Sequence, residues 1–207
     1  MNPWATALGV LCASAASEPM IDATTLVKDL VVDLRYATAD NFLHEKVYPD
    51  EARCLLRVSA ARRLKRAAEA LAPQGYRLKV YDCYRPRSVQ WKMWKLFPKP
   101  GYVADPRQGS NHNRGAAVDL TLATTEGAPV EMPTPFDTFS PAAHHGFAGG
   151  TEAARAHREI LRAAMEAAGF KKNAMEWWHY DLPETRAYPV LDVPFERFAQ
   201  KAKEARR

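Results

Sequence analysis

The stretch SNHNRGAAVDL, Ser110 to Leu120, constrains what this chain can fold into more than any other. Its polar half runs to Gly115, a residue free to take a left-handed turn. The alternating segment AAVDLTL follows, with Val118, Leu120 and Leu122 on one side and Ala117, Asp119 and Thr121 on the other. The pattern is a turn feeding a strand. It brings Asp119 back towards His112, seven positions earlier, with the carboxylate at the core edge between Val118 and Leu120. A carboxylate placed there needs a partner, and a cation is a strong one.

A second segment, MEWWHYDL, reads as the final strand and carries Glu176 and His179. In an ideal strand a spacing of three residues puts side chains on opposite faces, so Glu176 is expected at a bend or bulge entering the strand. Each residue alone has an ordinary reading: a lone strand histidine is commonly structural, and a glutamate before two tryptophans is commonly a surface acid. Together, His112, Asp119 and His179 supply two imidazoles and a carboxylate, a three-ligand set of the kind that catalytic zinc uses while keeping one position open for water. Glu176 beside them would serve as the base. Trp177 and Trp178 would exclude water and stiffen the ligand. Arg85, in YDCYRPRS, stands at a strand's C-terminal rim before a helix-opening proline. From there it would stabilise an oxyanion; the alternative is a salt bridge with Asp82.

The remaining elements follow from periodicity. LVVDLRY (Leu30 to Tyr36) and YRLKVYD (Tyr76 to Asp82) read as strands. Ser59 to Gly75 reads as an amphipathic helix capped by Ser59, lined by Ala60, Leu64, Ala67, Ala68 and Leu71, and stopped by Pro73 and Gly75. Pro86 opens another helix as its first residue, with a Val89, Met93, Leu96 and Phe97 stripe and with Trp91 and Trp94 in the core. A long helix runs from a Thr151 cap to a Gly169 stop, with Ile160, Ala164 and Ala168 as its core row. Helices and strands do not alternate regularly. The expected class is therefore α+β, a single domain with helices packed around a mostly antiparallel central sheet.

Composition agrees with one domain: 207 residues, 47% hydrophobic and 26% charged, suffice for a full-sized core without a linker or repeat. The formal charge of +5 is spread among interleaved acids and bases, which reads as a solvated surface and not as a nucleic-acid face. The three cysteines, Cys12, Cys54 and Cys83, form no metal-spaced pair. Cys54 and Cys83 are open to bridging in an oxidising compartment, but two small buried thiols are the favoured reading. Residues 1–17, MNPWATALGVLCASAAS, lack any charged side chain and end in small residues. They read as a signal peptide cut before Glu18 or Pro19, although without the usual basic start. The apolar run is too short to span a bilayer. The domain would then occupy residues 18–207 in the periplasm or outside the cell, with a cytoplasmic location as the alternative.

SNHNRGAAVDLTL resembles the S-x-H-x-x-G-x-A-x-D signature of zinc peptidases that act on peptidoglycan-type D-amino-acid peptides. With EWWHYDL, YDCYRP, DLRYATADNF and TPFD, the resemblance narrows to the D-alanyl-D-alanine dipeptidases and covers residues 27–192. It implies one zinc ion per chain on His112, Asp119 and His179, with Glu176 as the catalytic base and Arg85 steadying the transition state. It also implies that Ser110 and Asp137 hold the ammonium group of a small dipeptide. The TFSP after Asp137 departs from the acid-rich run expected before His144 and His145. His144, His145 and His157 are read as structural. Two rivals remain: a D,D-carboxypeptidase acting on peptidoglycan stem peptides, and a zinc-bearing binding domain without turnover. The first turns on whether the cleft is closed at the substrate's amino end, and the second is opposed by an intact Glu176 and Arg85. Resistance to glycopeptide antibiotics, scavenging of wall dipeptide and oligomeric state are left open.

Overall fold

The computed structural model describes residues 18–204, so the expected signal peptide lies outside the described residues. The strands are Met20–Asp22 (β1), Val31–Val32 (β2), Leu55–Arg57 (β3), Tyr76–Asp82 (β4), Ala117–Thr124 (β5), Lys171–Asn173 (β6) and Glu176–Asp181 (β7). The α-helices are Val58–Leu71 (α1), Arg87–Leu96 (α2), Glu152–Ala167 (α3) and Phe195–Glu204 (α4). The central sheet has five strands in the order β2-β4-β5-β7-β6, and β2–β4 is its one parallel pairing. β1 and β3 form a separate antiparallel pair. This is the expected α+β arrangement. Among the described residues no helix is long and apolar enough to cross a membrane.

The central strand β5 is buried along both faces, and not only on the side of its larger residues. Val118, Leu120 and Leu122 pack with Leu64 and Leu71 of α1 and Leu161 and Met165 of α3. A second, aromatic cluster gathers Tyr36, Tyr48, Tyr84, Met93 and Phe195. Removing each large aliphatic side chain from water contributes roughly 1.5–3 kcal/mol, so these clusters set the sheet's position. Thr151 caps α3, its hydroxyl accepting from the Ala154 amide at 3.0 Å, and Gly169 follows the helix at φ 96°. Leu161 and Met165 carry the helix's buried face, and Ile160 is only partly covered.

Several elements depart from the pattern reading for local reasons. The strand expected over Leu30–Tyr36 shortens to Val31–Val32 and turns into a 3-10 helix at Arg35–Ala37. Asn41 Nδ2 donates to the carbonyls of Arg35, Thr38 and Glu45, a set of side-chain bonds that competes with strand pairing. Pro86 sits one residue before α2, not within it. That helix turns Val89, Gln90 and Met93 inwards, leaving Leu96 58% and Trp91 38% exposed. Gln90 displaces them because it has polar partners inside. Strand β6 and helix α4 were not expected. Cys54 and Cys83 are joined by a disulfide bond, correcting the expectation of two free thiols.

Ser59 is not the cap of α1, which begins at Val58. The role passes to Glu18, whose carboxylate accepts from the Ser59 amide, from Ser59 Oγ at 3.1 Å and from Tyr188 Oη at 2.5 Å. A carboxylate at a helix N-terminus satisfies a free amide and opposes the helix dipole. Glu18→Ala should therefore lower unfolding free energy by about 1–2 kcal/mol, the scale of a lost cap. Denaturant melts showing no change in midpoint would count against this anchor.

Candidate functional site

The site grows from a cross-strand row. Asp82 of β4 pairs in register with Asp119 of β5, and Asp119 pairs with His179 of β7. The register of β4 shifts between Val80 and Asp82, which turns Asp82 into this row. His112 arrives from a 3-10 turn, His112–Arg114, closed by Gly115 at φ 66°. The left-handed backbone angle favours glycine at this position, and a side chain there would also have to displace the Met20 side chain.

His112 Nε2 lies 3.3 Å from Asp119 Oδ2 and 3.1 Å from His179 Nδ1, and His179 Nδ1 lies 2.9 Å from Asp119 Oδ1. One ligand atom from each residue fits within a 4.8 Å cluster. The outer nitrogens are occupied. His112 Nδ1 donates to the Cys83 carbonyl at 2.7 Å, and His179 Nε2 donates to Asp181 Oδ1 at 2.9 Å. Those bonds turn the inner nitrogens towards the carboxylate, so three electron-pair donors converge on one point. The donor set fits a metal ion. Burial works against a charge on His179, yet Asp181 and Asp119 raise its pKa well above the ordinary value. Burial likewise acts to raise the Asp119 pKa, but His112 and His179 hold it below the usual carboxylate range.

Glu176 is buried beside this cluster, with Oε2 4.0 Å from His179 Nδ1. The β6–β7 register makes the spacing work: Lys172 faces Tyr180, but Asn173 faces Glu176. The intervening residues of β7 therefore have no partners on β6, which is the irregularity the odd spacing requires. Asn173 Nδ2 donates to Glu176 Oε2 at 2.8 Å. Burial pushes the Glu176 pKa up to about 8; His179 opposes the rise, while Asp119 and Asp137 add to it.

Arg85 makes the salt bridge with Asp82 and also lines the cleft. Nε and Nη2 donate to Asp82 Oδ2 at 2.9 and 2.6 Å, and Nη1 donates to Gln90 Oε1 at 2.8 Å. Its Nη2 remains 3.8 Å from Asp119 Oδ2, on the wall of the cleft. Ser110 is buried, and its Oγ accepts from the His112 amide at 3.2 Å. Asp137 has φ 61°, and each of its carboxylate oxygens lies 3.1 Å from Tyr36 Oη. Burial pushes its pKa up to about 7, with Asp119 adding to the rise and Arg85 opposing it.

His112, Asp119, His179, Glu176, Arg85, Ser110 and Asp137 all line one cleft of about 520 Å³. His144 bonds with Tyr102, and His157 donates to the Glu131 carbonyl; neither these two nor His145 lines it. Asp82, Gln90, Asn173, Tyr36 and Asp181 were not singled out as supporting groups. Asp82 was named only as a salt-bridge partner of Arg85, and Asp181 had a further signal, since it lies two residues beyond His179 on the same strand face.

Comparison with known proteins shows the family. A family model described as D-ala-D-ala dipeptidase matches residues 16–201. A D-alanyl-D-alanine dipeptidase of Escherichia coli is 37% identical over 179 residues, covering 86% of this chain and 92% of that protein. Proteins of the same name from Enterococcus faecium and Streptomyces coelicolor are 36% and 35% identical, covering 78% and 77% of this chain and 91% and 89% of their own. The chain belongs to the D-Ala-D-Ala dipeptidase family of peptidases.

Proposed function

We propose that the protein is a zinc-dependent dipeptidase that hydrolyses D-alanyl-D-alanine to two molecules of D-alanine in the metabolism of cell-wall dipeptide. The observation that carries this reading is the convergence of His112, Asp119 and His179 beside buried Glu176, in a cleft that also holds Asp137, in a chain of this family. His112, Asp119 and His179 would hold one zinc ion. Bound there, zinc supplies a Lewis acid that polarises the peptide carbonyl and acidifies water.

The chain's own groups divide the remaining work. Glu176 takes a proton from the attacking water and returns it to the departing amine. Burial brings its pKa towards neutrality, which suits a group that must both accept and release a proton. Arg85, fixed by Asp82 and Gln90, presents a charge to the developing oxyanion without having to reorganise. Ser110 and Asp137 receive the substrate ammonium. Tyr36 bonds Asp137 and, with Phe42 and Phe139, walls the same cleft. Those rings support a site closed at the amino end, where a stem peptide would need to continue. Residues 1–17 would be an export signal. The use of Glu18 in the fold favours cleavage before Glu18 over cleavage before Pro19.

The metal assignment predicts one zinc per chain, lost in His112→Ala and in His179→Ala. Elemental analysis finding stoichiometric zinc in the double variant would end it. For Glu176→Gln the expectation is a folded, zinc-loaded protein at least ~10²-fold slower. Turnover at the wild-type rate in that variant would move the base elsewhere.

Substrate choice gives a separate test. An N-acetyl group removes the charge that Asp137 meets and adds bulk against the aromatic wall, so N-acetyl-D-Ala-D-Ala should react ~10⁴-fold less well than the free dipeptide. Because burial raises the Asp137 pKa to about 7, ionised Asp137 is lost as pH falls through that region. Glu176 also protonates on the acid side, so kcat/KM for D-Ala-D-Ala should fall there through both groups, and Asp137→Asn should lower the plateau while leaving the limb that Glu176 sets. Equal kcat/KM for the acetylated and free dipeptides would favour the carboxypeptidase.

A further inference from the structure

We infer that the Cys54–Cys83 disulfide is a positioning element for the metal ligand His112, so that its oxidation state sets how tightly the chain holds zinc. The inference rests on the zinc reading above and extends it to residues outside the ligand set.

The geometry is direct. The carbonyl of Cys83 itself accepts the Nδ1–H of His112 at 2.7 Å. That bond fixes which imidazole nitrogen faces Asp119 and how the ring is rotated. The peptide carrying the carbonyl lies just beyond β4, where strand pairing has ended. Its sulfur is bonded to Cys54, immediately before β3. The Cys54 carbonyl accepts from the Ala23 amide at 2.8 Å, and Arg57 of β3 donates its amide to the Gly115 carbonyl at 2.9 Å. The disulfide thus ties the carbonyl that orients His112 to the segment that also braces the turn after His112. Both cysteines are 1% exposed.

Other bonds keep this segment folded without the covalent link. The Tyr84 amide donates to the Leu55 carbonyl at 3.0 Å, and the Cys83 amide donates to Asp82 Oδ1 at 2.9 Å. Breaking the disulfide should therefore loosen the Cys83 peptide while leaving the domain intact. Loss of an outer partner of a metal-bound histidine weakens metal affinity by about 10–100-fold. Zinc retention would then be greatest where disulfides form and persist, in oxidising compartments.

The test measures zinc dissociation by competition with a chromogenic chelator. It compares oxidised protein, protein reduced by a phosphine, and the Cys54→Ala/Cys83→Ala double variant, which keeps the carbonyl at position 83. In the reduction the S–S bond breaks, the phosphine takes oxygen from water, and the two hydrogens of that water go to the sulfurs as thiols. The expected result is a zinc dissociation constant about 10–100-fold larger in both altered forms, with native circular dichroism retained. An unchanged constant in a folded, disulfide-free protein would overturn the inference, even if its metal-free melting temperature fell, since that is all a purely stabilising crosslink would do. Unfolding of both altered forms would also overturn it, because the disulfide would then serve the whole fold. Two free thiols in oxidised protein would do the same. The His112→Ala control separates the two levels: if its zinc affinity matches that of oxidised wild type, the metal assignment itself fails and takes the inference with it, whereas a weakened His112→Ala beside an unchanged disulfide-free protein overturns the inference alone.

Discussion

Two acids side by side in the middle of a buried sheet are the constraint around which this site is organised. Asp82 and Asp119 are register neighbours, and like charges placed opposite each other in a sheet destabilise it. Each acid is therefore given its own positive or donating partners. Asp82 takes Arg85 through two guanidinium nitrogens and the Tyr48 hydroxyl at 2.8 Å. Asp119 takes the two imidazoles. With Arg85 committed to Asp82, the hydrogen-bond partners of Glu176 and Asp137 are neutral, the Asn173 amide and the Tyr36 hydroxyl. Burial, with neighbouring acids adding to it, raises Glu176 to about 8 and Asp137 to about 7. The proposed zinc ion and the proposed substrate ammonium answer the same electrostatic demand from two directions. Binding the first strengthens the ionisation of the groups that would use the second.

The legible parts of the molecule were those governed by short-range repeat. The alternation after Gly115 set the strand that carries Asp119, and the odd Glu176–His179 spacing required an irregularity that the β6–β7 register contains. What periodicity could not reach was decided by partners distant in sequence. Ser59 looked like a cap, but Glu18 occupies that place from 41 residues away. Leu96 fits the apolar stripe of α2, yet the helix turns Gln90 inwards because Arg85 and the Ala104 carbonyl are there to bond it. The cysteines carry no spacing that announces a bridge; only the return of β3 beside the end of β4 brings them together.

Arg85 shows why competing readings of one residue need not exclude each other. Oxyanion stabilisation and a salt bridge with Asp82 stand as alternatives in the sequence; the structure contains the salt bridge and still leaves Arg85 on the cleft wall, where the proposed oxyanion role requires it. The combination is physically favourable. A free guanidinium would lose side-chain entropy on meeting an oxyanion, whereas one held by Asp82, by Gln90 and over the Tyr36 ring at 5.2 Å has already lost it during folding. The cost is a weaker field, since Asp82 cancels part of the charge. The position of Asp119, 3.8 Å from the same guanidinium, draws the residual charge towards the ligand cluster.

The two imidazoles are held differently, and the difference follows from where each sits. His179 lies on a strand, so the residue two positions on shares its face, and Asp181 can bond its outer nitrogen. His112 lies on a tight turn, and its outer nitrogen bonds a main-chain carbonyl from another segment, with the Asp82 carboxylate further off at 3.6 Å. A charged partner makes the imidazole more basic and a stronger electron donor; a neutral carbonyl fixes orientation with less effect on basicity. His179 would therefore supply donor strength, and its partner travels with it on the same strand. His112 would supply geometry, and its partner belongs to a peptide that can shift independently. A ligand held by a neutral carbonyl is only as well placed as the peptide bearing that carbonyl. In this chain that peptide is the one bonded through sulfur to Cys54.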